Sequence, residues 1–336
     1  MDSIAGLRRR PIVIGALAAT ISPHAAWSQA TRAGPLRKVG YLGAGPKLPR
    51  DHPFWVQWFR EMETLGWVEG KNLAFDYRVA NGDATKLDGA AVELSKQGCD
   101  LLLVDSDASV MAALRASPTV PIVVAFGGDP IAFGYAKSLG RPGGQVTGML
   151  YTQSINIVQK SAQVLKELVP GLTRCGGIRD TAIIGIEHYV DAFSEAGAKL
   201  GFRQELVSVT KPEDHDAAFA ELASRGCQAV QIYASANAYI VVERVVALAK
   251  KYRMADMHVI PEAVDLGGLA SWGPDLVDMF RRSAAHVVKI FKGANPGDLP
   301  LQQPLKYDLV LNAKTAKERG LTIPLSLRHM SERIVE

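Results

Sequence analysis

The chain has 336 residues, 48% of them hydrophobic and 21% charged, a balance that belongs to folded globular proteins and excludes an intrinsically disordered one. That length is generous for a single hydrophobic core, so one or two domains of ordinary size are expected. The formal net charge is only +4, three cations stand together at Arg8-Arg9-Arg10, and no element carries a basic stripe, which excludes nucleic acid as the expected partner.

At the amino terminus, Arg8-Arg9-Arg10, an apolar stretch over residues 12–21 and the small-x-small pattern Ala26-Trp27-Ser28 form a secretion signal. Pro23-His24 breaks the apolar run well short of the ~20 residues that span a bilayer. Residues 1–28 are therefore expected to leave by cleavage after Ser28, or after Ala30. The paired arginines admit the twin-arginine route as well as the general one, although Pro11 and the lack of a following Phe-Leu pattern fit it poorly. No cysteine precedes Cys99, so no lipidation site lies at the cleavage point, and a soluble periplasmic protein is expected. Cys99, Cys175 and Cys227 are odd in number and each adjoins a predicted buried strand, so they read as core residues. No Cys-x-x-Cys pair occurs and the seven His are scattered, so neither a structural metal nor a cofactor is expected.

After a linker at residues 31–36, residues 38–42 read as a strand ending at Gly43-Ala44-Gly45. Phe54, Trp55, Trp58, Phe59, Met62 and Leu65 recur at helical spacing. Residues 73–79 alternate as a strand, 87–96 return to helix, and 101–104 form a buried strand. Ser106 reads as the N-cap of a helix over 108–116, and 121–126 as the next strand. A short strand over 145–149 follows the turn Arg141-Pro142-Gly143-Gly144. Beyond a crossing at 150–152 come a helix (155–168), a strand (175–178), a helix (187–200), a strand (203–209), a helix (213–224) and a strand (229–233). A helix over 239–252, a strand over 258–260, a return strand over 267–272 and a long helix over 276–291 follow. The tail adds a strand over 305–311 and a helix over 313–319.

Two stretches repeat one another. Phe59-Arg60-Glu61, Leu65-Gly66-Trp67 and Glu93-Leu94-Ser95-Lys96-Gln97-Gly98-Cys99 match Phe193-Ser194-Glu195, Leu200-Gly201-Phe202 and Glu221-Leu222-Ala223-Ser224-Arg225-Gly226-Cys227. Each copy reads helix, strand, helix, buried strand. The fold class is therefore α/β, with two Rossmann-like lobes, each a mostly parallel sheet with helices on both faces. Residues 37–150 form the first lobe, completed by part of 275–336, and 151–272 the second. The lobe of the return helix and of the tail stays open at this stage.

In open parallel α/β sheets, ligands lie beyond the carboxyl ends of the strands. That rule nominates Gly43, Ala44, Ser106, Asp107, Phe126, Gly127, Asp129 and Tyr151 in the first lobe, and Arg179, Asp180, Tyr233, Ser235 and Glu262 in the second. Free N–H groups at helix starts and the Ser106 hydroxyl would hold a carboxylate. Asp180 or Glu262 would take an ammonium, and Phe126, Tyr151 and Tyr233 would stack on a flat solute. Taken singly, each of these residues has the alternative of a helix cap, a loop hydrogen bond or a core side chain. Catalytic motifs do not form. Gly43-Ala44-Gly45 lacks the third glycine of a dinucleotide loop, where Leu48 stands, neither a phosphate-binding P-loop nor a nucleophile elbow occurs, and Asp105/Asp107 have no base, metal or nucleophile tied to them.

The chain resembles the substrate-binding proteins of ABC transporters, the tryptophan/tyrosine-type group. The stretches that carry the resemblance are Leu65-Gly66-Trp67-Val68-Glu69-Gly70-Lys71-Asn72-Leu73 with Tyr77-Arg78, Gly128-Asp129-Pro130, Arg141-Pro142-Gly143-Gly144-Gln145-Val146-Thr147-Gly148, Leu165-Lys166-Glu167-Leu168-Val169-Pro170-Gly171, Gly267-Gly268-Leu269, Leu299-Pro300-Leu301-Gln302-Gln303-Pro304 and Leu311-Asn312-Ala313-Lys314-Thr315-Ala316. The resemblance implies a type I periplasmic-binding fold, a monomer that takes a small-molecule ligand between its lobes by hinge closure, and delivery to an ABC permease in the inner membrane. The chain departs from the family's pattern at Asp105-Ser106-Asp107 and at Arg179-Asp180-Thr181-Ala182. Two acids beside Ser106 disfavour a carboxylate there, and the Arg179 guanidinium offers it a two-pronged contact instead. An amino acid or an aromatic or carboxylate compound is the expected solute. The rival readings are an exported ligand-sensing module of the same fold and an exported two-lobed enzyme.

Overall fold

The computed structural model describes residues 36–151, 155–181 and 186–336. The expected secretion signal, Thr152 and Ala182 lie outside them. In chain order the first half runs β1 (Arg37–Gly43), α1 (Pro53–Thr64), β2 (Leu73–Val79), α2 (Leu87–Lys96), β3 (Leu101–Val104), α3 (Asp107–Ala116), β4 (Ile122–Gly127) and β5 (Val146–Leu150). These strands form one parallel sheet in the order β2-β1-β3-β4-β5. The second half runs α4 (Ile155–Leu168), β6 (Arg174–Asp180), α5 (Ile186–Lys199), β7 (Arg203–Val209), α6 (His215–Ser224), β8 (Ala229–Ile232), α7 (Ala236–Ile240), α8 (Val242–Lys251), β9 (Ala255–His258), α9 (Glu262–Asp265) and β10 (Ala270–Pro274). Then come α10 (Leu276–Phe291), β11 (Tyr307–Asn312), α11 (Ala313–Glu318), α12 (Leu325–Met330) and β12 (Arg333–Val335). The second sheet is ordered β12-β11-β10-β9-β8-β6-β7, parallel except where β11 runs against β10. Stripped of β11 and β12, it repeats the first sheet strand for strand, so the sequence repeat is a repeat of topology.

Each sheet is buried on both faces. Along β3, Leu101 and Leu103 enter the core that holds Trp58, while Leu102 and Val104 enter the one that holds Leu94 and Val110. That alternation is the two-residue period of a strand, and the continuous apolar run follows from helices covering both sides. α10 leaves the second sheet and packs on α1, β4 and β5 of the first. Its Phe280 is 1% exposed and meets Tyr41, Phe54, Trp55 and Phe126. The chain then lies along β5, where Gln302 exchanges backbone hydrogen bonds with Gly148 and Leu150, before β11 rejoins the second sheet.

Three expected elements differ from the sequence expectation, and three short ones were not expected. The helix expected over 239–252 divides into α7 and α8, because Val241, in the β-branched run Ile240-Val241-Val242, leaves helical dihedrals (φ −109°, ψ 23°). The strand expected over 258–260 lies earlier, at β9. Its Asp256 and His258 look too polar for a buried strand, yet His258 Nε2 stands 2.7 Å from an Asp256 oxygen and Arg319 pairs with the other. The return strand lies later than 267–272, at β10, since α9 and the turn in which the Gly268 N–H donates to Ala263 O come first. The short α9, α12 and β12 had no signal strong enough to announce them. Cys99, Cys175 and Cys227 are all free and buried.

Candidate ligand cleft

The two sheets meet at their strand ends. His52, the residue before Pro53 at the start of α1, caps that helix by accepting the Phe54 N–H on Nδ1 at 3.3 Å. With Nδ1 an acceptor, the neutral ring carries its proton on Nε2, and Nε2 lies 3.5 Å from the hydroxyl of Tyr239 in α7. Burial lowers the His52 pKa, which favours that neutral form. Nearby, Ile260 from the end of β9 packs into the aromatic core of the first sheet. Tyr189 in α5 stands within electrostatic reach of Asp107 and Asp129, and its pKa is raised by burial first and by these acids next. The strand-end loops of the two sheets therefore face one another.

On the first side, two carboxylates organise the loops. Asp105 accepts the N–H of Ala44 (2.9 and 3.0 Å to its two oxygens), the Ser109 hydroxyl (2.9 Å) and the Tyr41 hydroxyl (3.3 Å). Asp107 accepts the Gly128 N–H on both oxygens at 2.9 Å and the Tyr135 hydroxyl at 2.6 Å. Burial raises the Asp107 pKa, against the pull of Tyr135 and the Gly128 N–H. A Cβ at position 128 would stand 2.5 Å from Asp107 Oδ2, so glycine there lets the carboxylate close on the backbone N–H. Ser106 is the N-cap of α3, accepting the Ser109 N–H at 3.3 Å. Asp129 caps its own turn through the N–H groups of Ile131 and Ala132. Gly43 and Ala44 end β1 beside Asp105. Gly127 ends β4, its carbonyl accepting the Tyr151 N–H. Phe126 and Tyr151 are half-buried against the aromatic core, Phe126 tilted against Phe54 and Phe280.

On the second side, Arg179 turns along the sheet, donating to Ser208 Oγ at 3.1 Å and pairing with Glu187 at 3.2 Å. Asp180 is buried at the end of β6. Tyr233 belongs to the core: it is 3% exposed, its ring lies edge-on to Phe193 and its hydroxyl accepts from Gln204 Nε2. It shows no open face for stacking in this conformation. Ser235 caps α7 through the Ala238 N–H at 2.9 Å. Glu262, at the start of α9, is half-buried, with Oε2 enclosed and without a hydrogen-bond partner. Burial raises its pKa, and the charges of Asp265 and Asp275 add to the rise. It borders a cavity of about 470 Å³ between Pro53 and the first turn of α10 on one side and Pro261 on the other. Glu262 lies within electrostatic reach of Tyr239, and Tyr239 of Tyr41, whose hydroxyl meets Asp105. A polar seam thus crosses from one sheet to the other.

His52, Tyr189 and Tyr239 were not among the residues nominated from sequence. His-Pro at a helix start was a signal for His52 as a cap. Tyr189 and Tyr239 lie one turn inside helices whose first residues alone the strand-end rule selects.

A family model described as ABC transporter substrate binding protein matches residues 60–335. The chain belongs to the ABC transporter substrate-binding protein family. It is a solute-binding protein and not an enzyme. A tyrosine-binding protein of Clostridioides difficile (strain R20291) is 22% identical over 261 residues, 77% of this chain and 74% of that one. Among solved structures, an ABC domain from Streptococcus pneumonia in complex with L-Trp has a TM-score of 0.82 at 22% identity, over 89% of this chain and 100% of that one. A conserved domain protein from Vibrio cholerae gives 0.81 at 23%, covering 89% and 99%. A ligand-free, open substrate-binding protein with adhesive properties from Clostridium difficile gives 0.64 at 21%, covering 89% and 99%. The family's two-sheet fold is the one described above.

Proposed function

We propose that this substrate-binding protein is the exported receptor of an ABC importer, capturing a small solute between its two lobes and presenting it to an inner-membrane permease. The lobes divide near residue 150 and again near 272–275, with α10 counted to the first lobe and the tail to the second. The observation that carries the reading is the approach of opposed strand-end loops, His52 to Tyr239, with the Asp105–Tyr41 and Glu262 seam behind it. A ligand that touches both lobes stabilises the closed arrangement and shifts an equilibrium between open and closed forms. Relatives that bind tyrosine and L-Trp support an amino acid or an aromatic compound of that size as the solute. A periplasmic, monomeric protein fits this role, with the signal removed near Ser28 or Ala30. Among the described residues no helix is long and apolar enough to cross a membrane.

The test is a thermal-shift screen over the amino acids and small aromatic amines and acids. A solute at a hundredfold excess over its dissociation constant adds about 2.7 kcal/mol to the folded state, which raises the melting temperature measurably. A screen in which no such compound moves the melting temperature would count against the reading.

A further inference from the structure

We infer that His52 is a pH-sensitive latch between the lobes: its neutral ring joins them, and protonation in mildly acidic surroundings releases the second lobe and with it the solute. The inference rests on the cleft reading above and adds a control to it.

The geometry gives the two ring nitrogens separate tasks. Nδ1 accepts the Phe54 N–H at 3.3 Å and so caps α1, while Nε2 faces the Tyr239 hydroxyl of the second lobe at 3.5 Å. Only the neutral tautomer with its proton on Nε2 does both. A second proton falls on Nδ1, where it points at the Phe54 N–H, donor against donor, and the cap is lost. The charge also stands at the start of a 12-residue helix, the end that disfavours a cation, and the first turn of α1 has no acid to offset it. The charged ring therefore turns out of its place, and Asp51, an exposed neighbour in sequence, offers it a partner on the solvent side. Turning removes the contact with Tyr239.

The surrounding charges do not reverse that sign. From α7 the facing group is the Tyr239 hydroxyl, which burial keeps un-ionised. Glu262 and Tyr41 lie within electrostatic reach of that hydroxyl, with Asp105 behind Tyr41. α10, packed on α1, brings Asp275 to the cavity that Pro53 borders, where Glu262, Asp265 and Arg333 also stand. Of these charges, that of Asp51 raises the His52 pKa, and burial outweighs it. Tyr239 supplies part of the cover, so the ring takes a proton more readily when the lobes are apart. Closure is therefore complete above the open form's value, near the ordinary 6.5, and weakens as pH falls below it, by up to about tenfold per pH unit until the closed form is protonated too.

The experiment is small-angle scattering and calorimetry of the mature chain at about pH 7.5 and about pH 5.5, either side of the histidine range, without solute and with L-tryptophan as the probe. The ammonium and carboxylate of that probe keep their charges at both values. His52→Asn keeps a capping side chain and does not titrate. In the parent, the radius of gyration without solute is expected to rise at the lower pH and to return on neutralisation, and L-tryptophan to bind about fivefold to tenfold more weakly there. In His52→Asn the radius is expected to hold and the affinity to stay within about twofold. A parent whose radius and affinity are the same at both pH values overturns the inference, and so does a His52→Asn variant that responds as the parent does. In either case, contraction on binding L-tryptophan leaves the clamp reading standing, whereas binding without contraction at either pH tells against the clamp itself. Where L-tryptophan does not bind, the solute-free radii alone decide.

Discussion

At the scale of single residues, the cleft is held by carboxylates that organise backbone. Gly128→Ala would set a Cβ 2.5 Å from Asp107 Oδ2 and force the two-oxygen contact apart. A loss of about 1–3 kcal/mol is expected, read from the urea midpoint, because a partly buried carboxylate loses one of its two donors and keeps only the Tyr135 hydroxyl. Glu262 carries the opposite sign. Its folded pKa is raised above the ordinary 4.5 by burial, so the folded chain favours the neutral form. The stability that this contributes is complete below the unfolded value and is lost as pH rises through the folded one. Glu262→Gln is therefore expected to melt higher than the parent at about pH 8, with the gap closing at about pH 4. Ser106 was legible from sequence, since a serine between a buried strand and a helix is a cap by local chemistry. Arg179 and Tyr233 were placed at the right strand ends, but the directions of their side chains depend on Glu187, Ser208, Phe193 and Gln204, which belong to other elements.

At the scale of elements, two attachments fix the halves. α10 crosses between them, and Phe280 locks it to α1 and β4 through four aromatic neighbours. Phe280→Ala is expected to lower stability by about 3–5 kcal/mol, with a fall in the urea midpoint. In the second half, burial pushes the Asp256 pKa up, but hydrogen bonds and the charges of His258 and Arg319 outweigh it and leave it low. That contribution is present above the unfolded pKa and lost as pH falls through the folded one. Asp256→Asn is expected to cost about 3–5 kcal/mol at neutral pH by leaving the Arg319 charge uncompensated, and to flatten the acid limb of the stability profile. The sequence made most elements legible through apolar period, caps and turns. β9 was misplaced because its polar residues satisfy one another only in the folded chain. The break before α8 was missed because periodicity does not register one β-branched residue leaving the helix.

At the scale of the whole molecule, a repeated sequence became a repeated sheet order, and the repeat sets two rows of strand ends face to face. Tyr239 is the second-lobe group that reaches His52, so Tyr239→Phe removes the hydroxyl that bridges them. A weaker closed form is expected, seen as a larger radius of gyration for the ligand-free variant than for the parent. The central claim is that solute is held by both halves at once. Small-angle scattering of the mature chain with and without a saturating solute, its binding established by calorimetry, tests it most directly. The account predicts that the radius of gyration falls when the solute binds. A radius that stays constant while the heat of binding is observed would contradict it.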